Sequence, residues 1–327
     1  MKIIVKGLIL LCTVFFVTNV FGEDAKQKPQ LIFPNYKAVG ALSKKEKDKY
    51  LKKIGELPAK EKEGELVGSV QLFSFWDVEP KPYEHTECQI GYLSFVTTSG
   101  NNLRDVQSAQ SVQADSTLTR IDVRLDRLRV YDYPGSGNHQ VMFTFQADNS
   151  MTQEAQKENI SFSQVYEAQE GEGAGVAGYP IFIGLNVGKQ GAALKGATIN
   201  VKNGGDEKAL RVLKSKEFQG GLTLLTTAQP ALSPFSALGT GIAEMVLSRN
   251  ENKKVHECYL GLDFDSGASY GARLASGNYI IVQAPDNKFR WNDWAYDPAN
   301  ARIVKKSNPN DIVPYNYVIF RVVRHTD

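Results

Sequence analysis

Apolar and polar positions along the chain fall into three regimes. Residues 7–21 carry no charge and are rich in Leu, Ile, Val and Phe. Residues 23–65 are dominated by charge. From Leu66 onward, short runs with alternating or continuous apolar positions are separated by polar, glycine- and proline-containing stretches, the pattern of a strand-rich fold.

In the third regime, residues 66–76, 89–98, 119–133, 140–147, 179–187, 197–202, 221–228, 257–264, 277–284 and 315–323 read as strands. Within 119–133, Ile121, Val123 and Leu125 share one face, and Asp122, Arg124 and Asp126 the other. Leu128 and Val130 then fall on the opposite parity, which predicts a bulge near Asp126. The cluster Pro134-Gly135-Ser136-Gly137-Asn138 reads as a turn, making 140–147 the return strand of a hairpin. Residues 148–178 are polar and end glycine-rich, so they read as a long loop or a domain boundary. One helix stands out near 234–249, with Ser233 as N-cap and Pro234 at the first helical position. Its apolar face is Leu238, Ile242, Met245 and Val246. The expected fold is mostly β: two packed antiparallel β-sandwich-like domains, 66–178 and 179–327, with one helix in the second half.

The first two regimes frame this fold. Lys2 and Lys6, the apolar run, small residues at Val20 and Gly22, and the abrupt polarity at Glu23 together make residues 1–22 a secretory signal. The run is about fifteen residues, short of the ~20 that a membrane helix needs. Secretion to the extracellular space or periplasm follows, with no integral membrane span after cleavage. Residues 23–65 read as a charged N-terminal extension containing a short helix. Ser43 and Glu46 fit a capping box, Tyr50, Leu51 and Ile54 supply an apolar side, and Gly55 and Pro58 end it.

Charge narrows the partners. The full chain has 38 basic and 36 acidic residues, and the two signal lysines account for the difference. A balanced mature chain argues against a general nucleic-acid binder, which carries a basic excess.

Two cysteines remain after the signal, Cys88 and Cys258, and an oxidising route makes a disulfide between them the default expectation. Closing a loop that long is worth at most ~5 kcal/mol in the loop-entropy picture. His85 and His256 flank the same cysteines, so His85, Cys88, His256 and Cys258 are also a candidate tetrahedral zinc set. Asp263 and Asp265 open a segment like the start of a calcium loop, but the later ligands of such a loop are missing. No cofactor is required by any of these patterns.

Catalytic motifs are sparse. Gly267-Ala268-Ser269-Tyr270-Gly271 matches the serine-hydrolase elbow in letters, but no helical pattern follows it, and a turn needs the same residues. The most informative segment is Trp291, Asn292, Asp293, Trp294 and Tyr296, which interleaves large aromatic rings with polar tips. Such a segment either binds a ligand, with rings stacking on sugars and Asn or Asp bonding hydroxyls, or plugs the core from a loop. The leading expectation is a secreted, non-enzymatic protein that binds a glycan or an envelope or cell-surface protein. The alternatives are a secreted hydrolase acting on an ester or glycoside through Ser269 or an acid pair among Asp263, Asp265 and Asp293, and a toxin or effector acting at membranes.

Overall fold

The computed structural model describes residues 32–56, 79–95, 103–148, 159–174, 176–202, 204–219, 222–223, 229–264, 271–286 and 288–326. Residues 1–22, expected as a signal, the charged run 60–65, the strand expected over 66–76 and Asp265 lie outside the described residues.

The described residues are mostly β, and their strands form three sheets. The eight-stranded sheet runs β10 (Leu222–Thr223), β8 (Tyr179–Asn186), β4 (Arg120–Arg129), β17 (Tyr317–Arg324), β13 (Gly277–Gln283), β1 (Cys88–Ser94), β3 (Gln107–Ser108), with β7 (Gly173–Ala174) also paired to β4. The five-stranded sheet runs β12 (Gly271–Arg273), β11 (Lys253–Asp263), β9 (Gly191–Val201), β5 (Asn138–Asp148), β6 (Asn159–Gln169). A four-stranded sheet contains β16 (Asn308–Ile312), β15 (Arg302–Lys305), β14 (Trp294–Asp297) and β2 (Arg104–Asp105).

The main core lies between the two larger sheets. Ile121, Val123 and Leu125 of β4 and Val318, Phe320 and Val322 of β17 face Val141, Phe143, Phe145 and Ala147 of β5. Phe145 and Phe320 meet edge to face across that space, 5.2 Å between centroids. The far face of the five-stranded sheet carries Met142, Val165, Ala197, Ile199 and Val201 beneath helices α2 (Glu207–Leu213) and α4 (Gln229–Leu247). The far face of the eight-stranded sheet carries Ile280, Val282 and Ile319, covered by Phe289, Trp291, Ile303 and Val313. The order of layers is therefore helices, five strands, eight strands, small sheet.

Several expectations are corrected. β4 and β5 are not a hairpin: they belong to different sheets, and residues 130–137 carry the chain across the core from one to the other. Alternation specifies which face is apolar, not which strand is the neighbour. The boundary expected after Gly178 separates no sheets, because both larger sheets take strands from either side of it. Residues 31–327 cluster as one unit. The polar stretch 148–178 contains β6, whose Ser161 and Ser163 lie under α4; a Cβ on Gly239 would stand 3.5 Å from the Ser163 side chain. Helix α4 starts at Gln229, so Ser233 lies inside it rather than capping it.

Other local readings hold. The register of β4 on β17 slips between Leu125 and Arg127, leaving Asp126 as the extra residue of a bulge. Helix α1 (Lys44–Lys53) opens with the capping box: the Ser43 backbone N–H donates to Glu46 Oε2 at 2.8 Å, and the Glu46 N–H to Ser43 Oγ. Tyr50 and Leu51 are its buried side chains.

A buried ion pair ties the segment before α1 to the five-stranded sheet. Lys254 Nζ is 2.5 Å from Glu257 Oε2, with side chains 2% and 8% exposed. The lysine also donates to the Phe33 carbonyl, and Glu257 accepts from the Ile32 N–H. Removing one partner strands the other charge in a dry site. Lys254→Met is expected to lower unfolding free energy by about 3–5 kcal/mol, whereas Lys254→Met with Glu257→Leu recovers part of that loss. Denaturant unfolding of the single and double variants measures the difference.

Candidate binding site on the outer sheet

The aromatic segment singled out in the sequence divides into an anchor and an exposed part. Trp291, in a 3₁₀ turn between β13 and β14, is 8% exposed and belongs to the core beneath the small sheet. It lies flat over Gly91 of β1, where a Cβ would come within 2.7 Å of the indole. Gly91 thus permits the approach, and Trp291 has the plugging role. Asn292 and Asp293 are exposed at the turn. β14 then alternates, with Trp294 and Tyr296 half-buried and Ala295 and Asp297 buried.

Trp294 is held by stacking on Phe289, with centroids 5.8 Å apart and planes 6° from parallel. Phe289 also meets Tyr315 edge-on at 6.1 Å, and Tyr315 meets His85 at 5.9 Å. Trp294, Tyr315 and His85 are partly open to solvent around the buried Phe289 ring. Lys288 and Glu79 pair beside them at 2.7 Å. The result is a rigid aromatic surface with a polar rim, of which the sequence revealed Trp294 but not Phe289, Tyr315 or His85. Those three come from separate segments, so no spacing links them.

Cys88, Cys258, His139 and His256 lie at the main core. Cys88 and Cys258 are free thiols, correcting the expected disulfide. Cys88 lies instead 3.0 Å from His256 Nε2 and 3.3 Å from the carbonyl oxygen of Glu257. Cys258 packs beside Gly196, where a Cβ would be 3.0 Å from its sulfur. The two residues arrive on different sheets, and the imidazole takes the place at Cys88 that a second sulfur would need. His85 is drawn away to Tyr315. Among the described residues, no three His, Cys, Asp or Glu side chains converge as a metal site.

Burial sets the chemistry of this pair. It pushes the Cys88 thiol well above its usual range, with Cys258 adding to the rise, and pushes Cys258 up to about 12. It lowers His256 to about 4. The pair is therefore neutral thiol against neutral imidazole, and a nucleophilic cysteine needs the thiolate. Nearby, the Tyr133 hydroxyl donates to Thr198 Oγ1 at 2.8 Å. His139 is fully buried against the Tyr133 ring with neither nitrogen hydrogen-bonded.

The hydrolase candidates are dispersed. Residues 265–270, including Ser269, lie outside the described residues, and Gly271 opens a strand rather than a helix. Asp263 ends β11 in the five-stranded sheet, with Arg273 countering a burial that raises its pKa. Asp293 sits beyond the far face of the eight-stranded sheet, so these two carboxylates do not meet.

Trp291→Ala is expected to cost about 3–5 kcal/mol of stability, Gly91→Ala about 1–3 kcal/mol, and the half-exposed Trp294→Ala only roughly 1–2 kcal/mol. Equilibrium unfolding orders them. A second outcome concerns acid. His256 and His139, both lowered to about 4 by burial, stay neutral in the fold but take up protons near pH 6.5 once unfolded. Their contribution is complete above about pH 6.5 and is lost as pH falls toward 4, by about 3 kcal/mol each. Asp132, raised to about 6 by burial, offsets part of the loss. His139→Phe is expected to match the parent at pH 7 and lose less stability at pH 4.5, measured as the difference between the two proteins' unfolding curves.

In comparisons with known proteins, no family model, no curated protein and no solved structure matches this chain.

Proposed function

We propose that this chain is an exported, non-enzymatic β-sandwich protein that binds a glycan on a cell or envelope surface through the half-buried aromatic cluster around Phe289. The observation that carries this reading is the half-exposed indole of Trp294, fixed by parallel stacking on Phe289 and flanked by exposed Asn292 and Asp293. A ring held in one orientation loses little entropy when a sugar face stacks on it, and neighbouring amide and carboxylate groups supply hydroxyl partners. Tyr315 and His85 extend the surface, so more than one ring is offered. The buried, neutral Cys88–His256 pair supports a binding role over covalent catalysis. The pattern of residues 1–22, a basic start, an uncharged apolar run and small residues at Val20 and Gly22, supports export. A protein partner in place of a glycan would use the same rings.

Glycan-array binding of the mature chain is expected, with Trp294→Ala reducing it at least about tenfold, the loss of one good aromatic contact. The paired variant Asn292→Ala with Asp293→Ala is expected to change which glycans bind rather than to abolish binding. Capture of envelope proteins but no glycan would move the reading to a protein partner. No binding to either, with Trp294→Ala folded as the parent, would remove it.

A further inference from the structure

The outer face of β4 is a ladder of charges, and its pairing is incomplete at one end. Asp122 takes Arg124 at 3.4 Å and His325 at 2.7 Å. Asp126, at the bulge, takes Arg321 through Nε at 2.9 Å and Nη2 at 2.8 Å. Beyond the bulge come Arg127 and Arg129, and among the described residues no carboxylate forms an ion pair with either.

Arg129 is 6% exposed, and its buried Nε has no hydrogen-bond partner. Its guanidinium lies 5.9 Å from the Tyr317 ring and 6.0 Å from the Tyr131 ring, so two aromatic faces border it. Arg127 and Arg302 are cations near enough to weigh against its charge. Arg127 has a buried Nε without a partner as well, and it lies over the backbone of Gly173, where a Cβ would come within 2.7 Å of that nitrogen. Gly173 pairs with Arg129 across β7 and β4, so the glycine lets the two guanidinium groups share one region. Arg302 approaches from β15 of the small sheet. Its Nε is 3.4 Å from Asp297 Oδ2 without forming a hydrogen bond, and that carboxylate already accepts from Asn300 and from the Ala299 N–H.

Two arginines of β4 thus share a region where one is buried and unpaired, with Arg302 as a further cation in range. A guanidinium stays protonated in proteins, so this charge is not relieved by losing a proton. Burial and the two like charges both work against the charged form of Arg129. An oxyanion reverses the balance, since planar forked donors match carboxylate and phosphate oxygens.

We propose that Arg127 and Arg129, with Arg302 at the rim, form a binding site for one small oxyanion, a phosphate or a carboxylate group, on the outer face of β4. Nothing in this proposal depends on export or on a glycan partner. Tyr296 of β14, which shares a face with Trp294, is within electrostatic reach of Arg127.

The test is calorimetric titration of the mature protein with inorganic phosphate, sulfate and glucuronate at matched ionic strength, with chloride as the background anion. Saturable one-site binding is expected, and the preferred anion distinguishes tetrahedral from planar recognition. Arg129→Met is expected to weaken binding at least about tenfold, the loss of a charge-assisted fork. The same substitution is expected to leave the melting temperature in anion-free buffer unchanged or raised, because it removes an unpaired buried charge. Arg302→Gln, at the half-exposed edge, provides a second variant with the same expected loss should Arg129→Met not fold. Arg321→Gln, on the same face but paired with Asp126, is expected to bind as the parent does. No saturable binding of any of the three anions, or equal binding by the parent, Arg129→Met and Arg302→Gln, would overturn the proposal.

Discussion

The apolar face that the two larger sheets turn toward each other governs the rest of this protein. A sheet with one greasy face must cover it, and here the chain does so by crossing from β4 to β5 rather than folding back on itself. Once that crossing is made, neither sheet can be completed from a single stretch of sequence. β1 waits for β13, and β4 for β17. The outer faces then inherit what the inner ones cannot hold: α4 settles over the serines of β6, and the small sheet covers Ile280, Val282 and Ile319.

Local features with a local cause were legible in the sequence. The capping box at Ser43 and Glu46 needs only a four-residue pattern, and the bulge at Asp126 declares itself as a change of parity. Pairing was not legible, because period two names a face and not a neighbour. β6 was hidden for a related reason. Its side toward α4 carries Ser161 and Ser163, small groups that admit a close helix and read as loop when seen alone.

The same division runs through the candidate site. Trp291 and Trp294 attract notice as a pair, yet packing gives them opposite tasks. The glycine that decides this, Gly91, lies some two hundred residues earlier. The cysteines also drew the eye together, and they do lie near one another. What meets Cys88, however, is an imidazole whose own position follows from β11. The arginines of β4 could be placed on an outer face from alternation alone. That Arg302 would come to lie beside them depends on a sheet whose strands are too short and polar to announce themselves.

β17 lies in the interior of the eight-stranded sheet, between β4 and β13, although it follows all the other described strands in the sequence. Until residues 317–324 are available to pair, β4 and β13 each present an open edge with a hydrophobic flank. Such edges invite pairing with other chains. Closure of the sheet is therefore a late, long-range event of the kind that makes folding slow. The nascent protein passes through an interval in which a chaperone that shields strand edges would decide its yield.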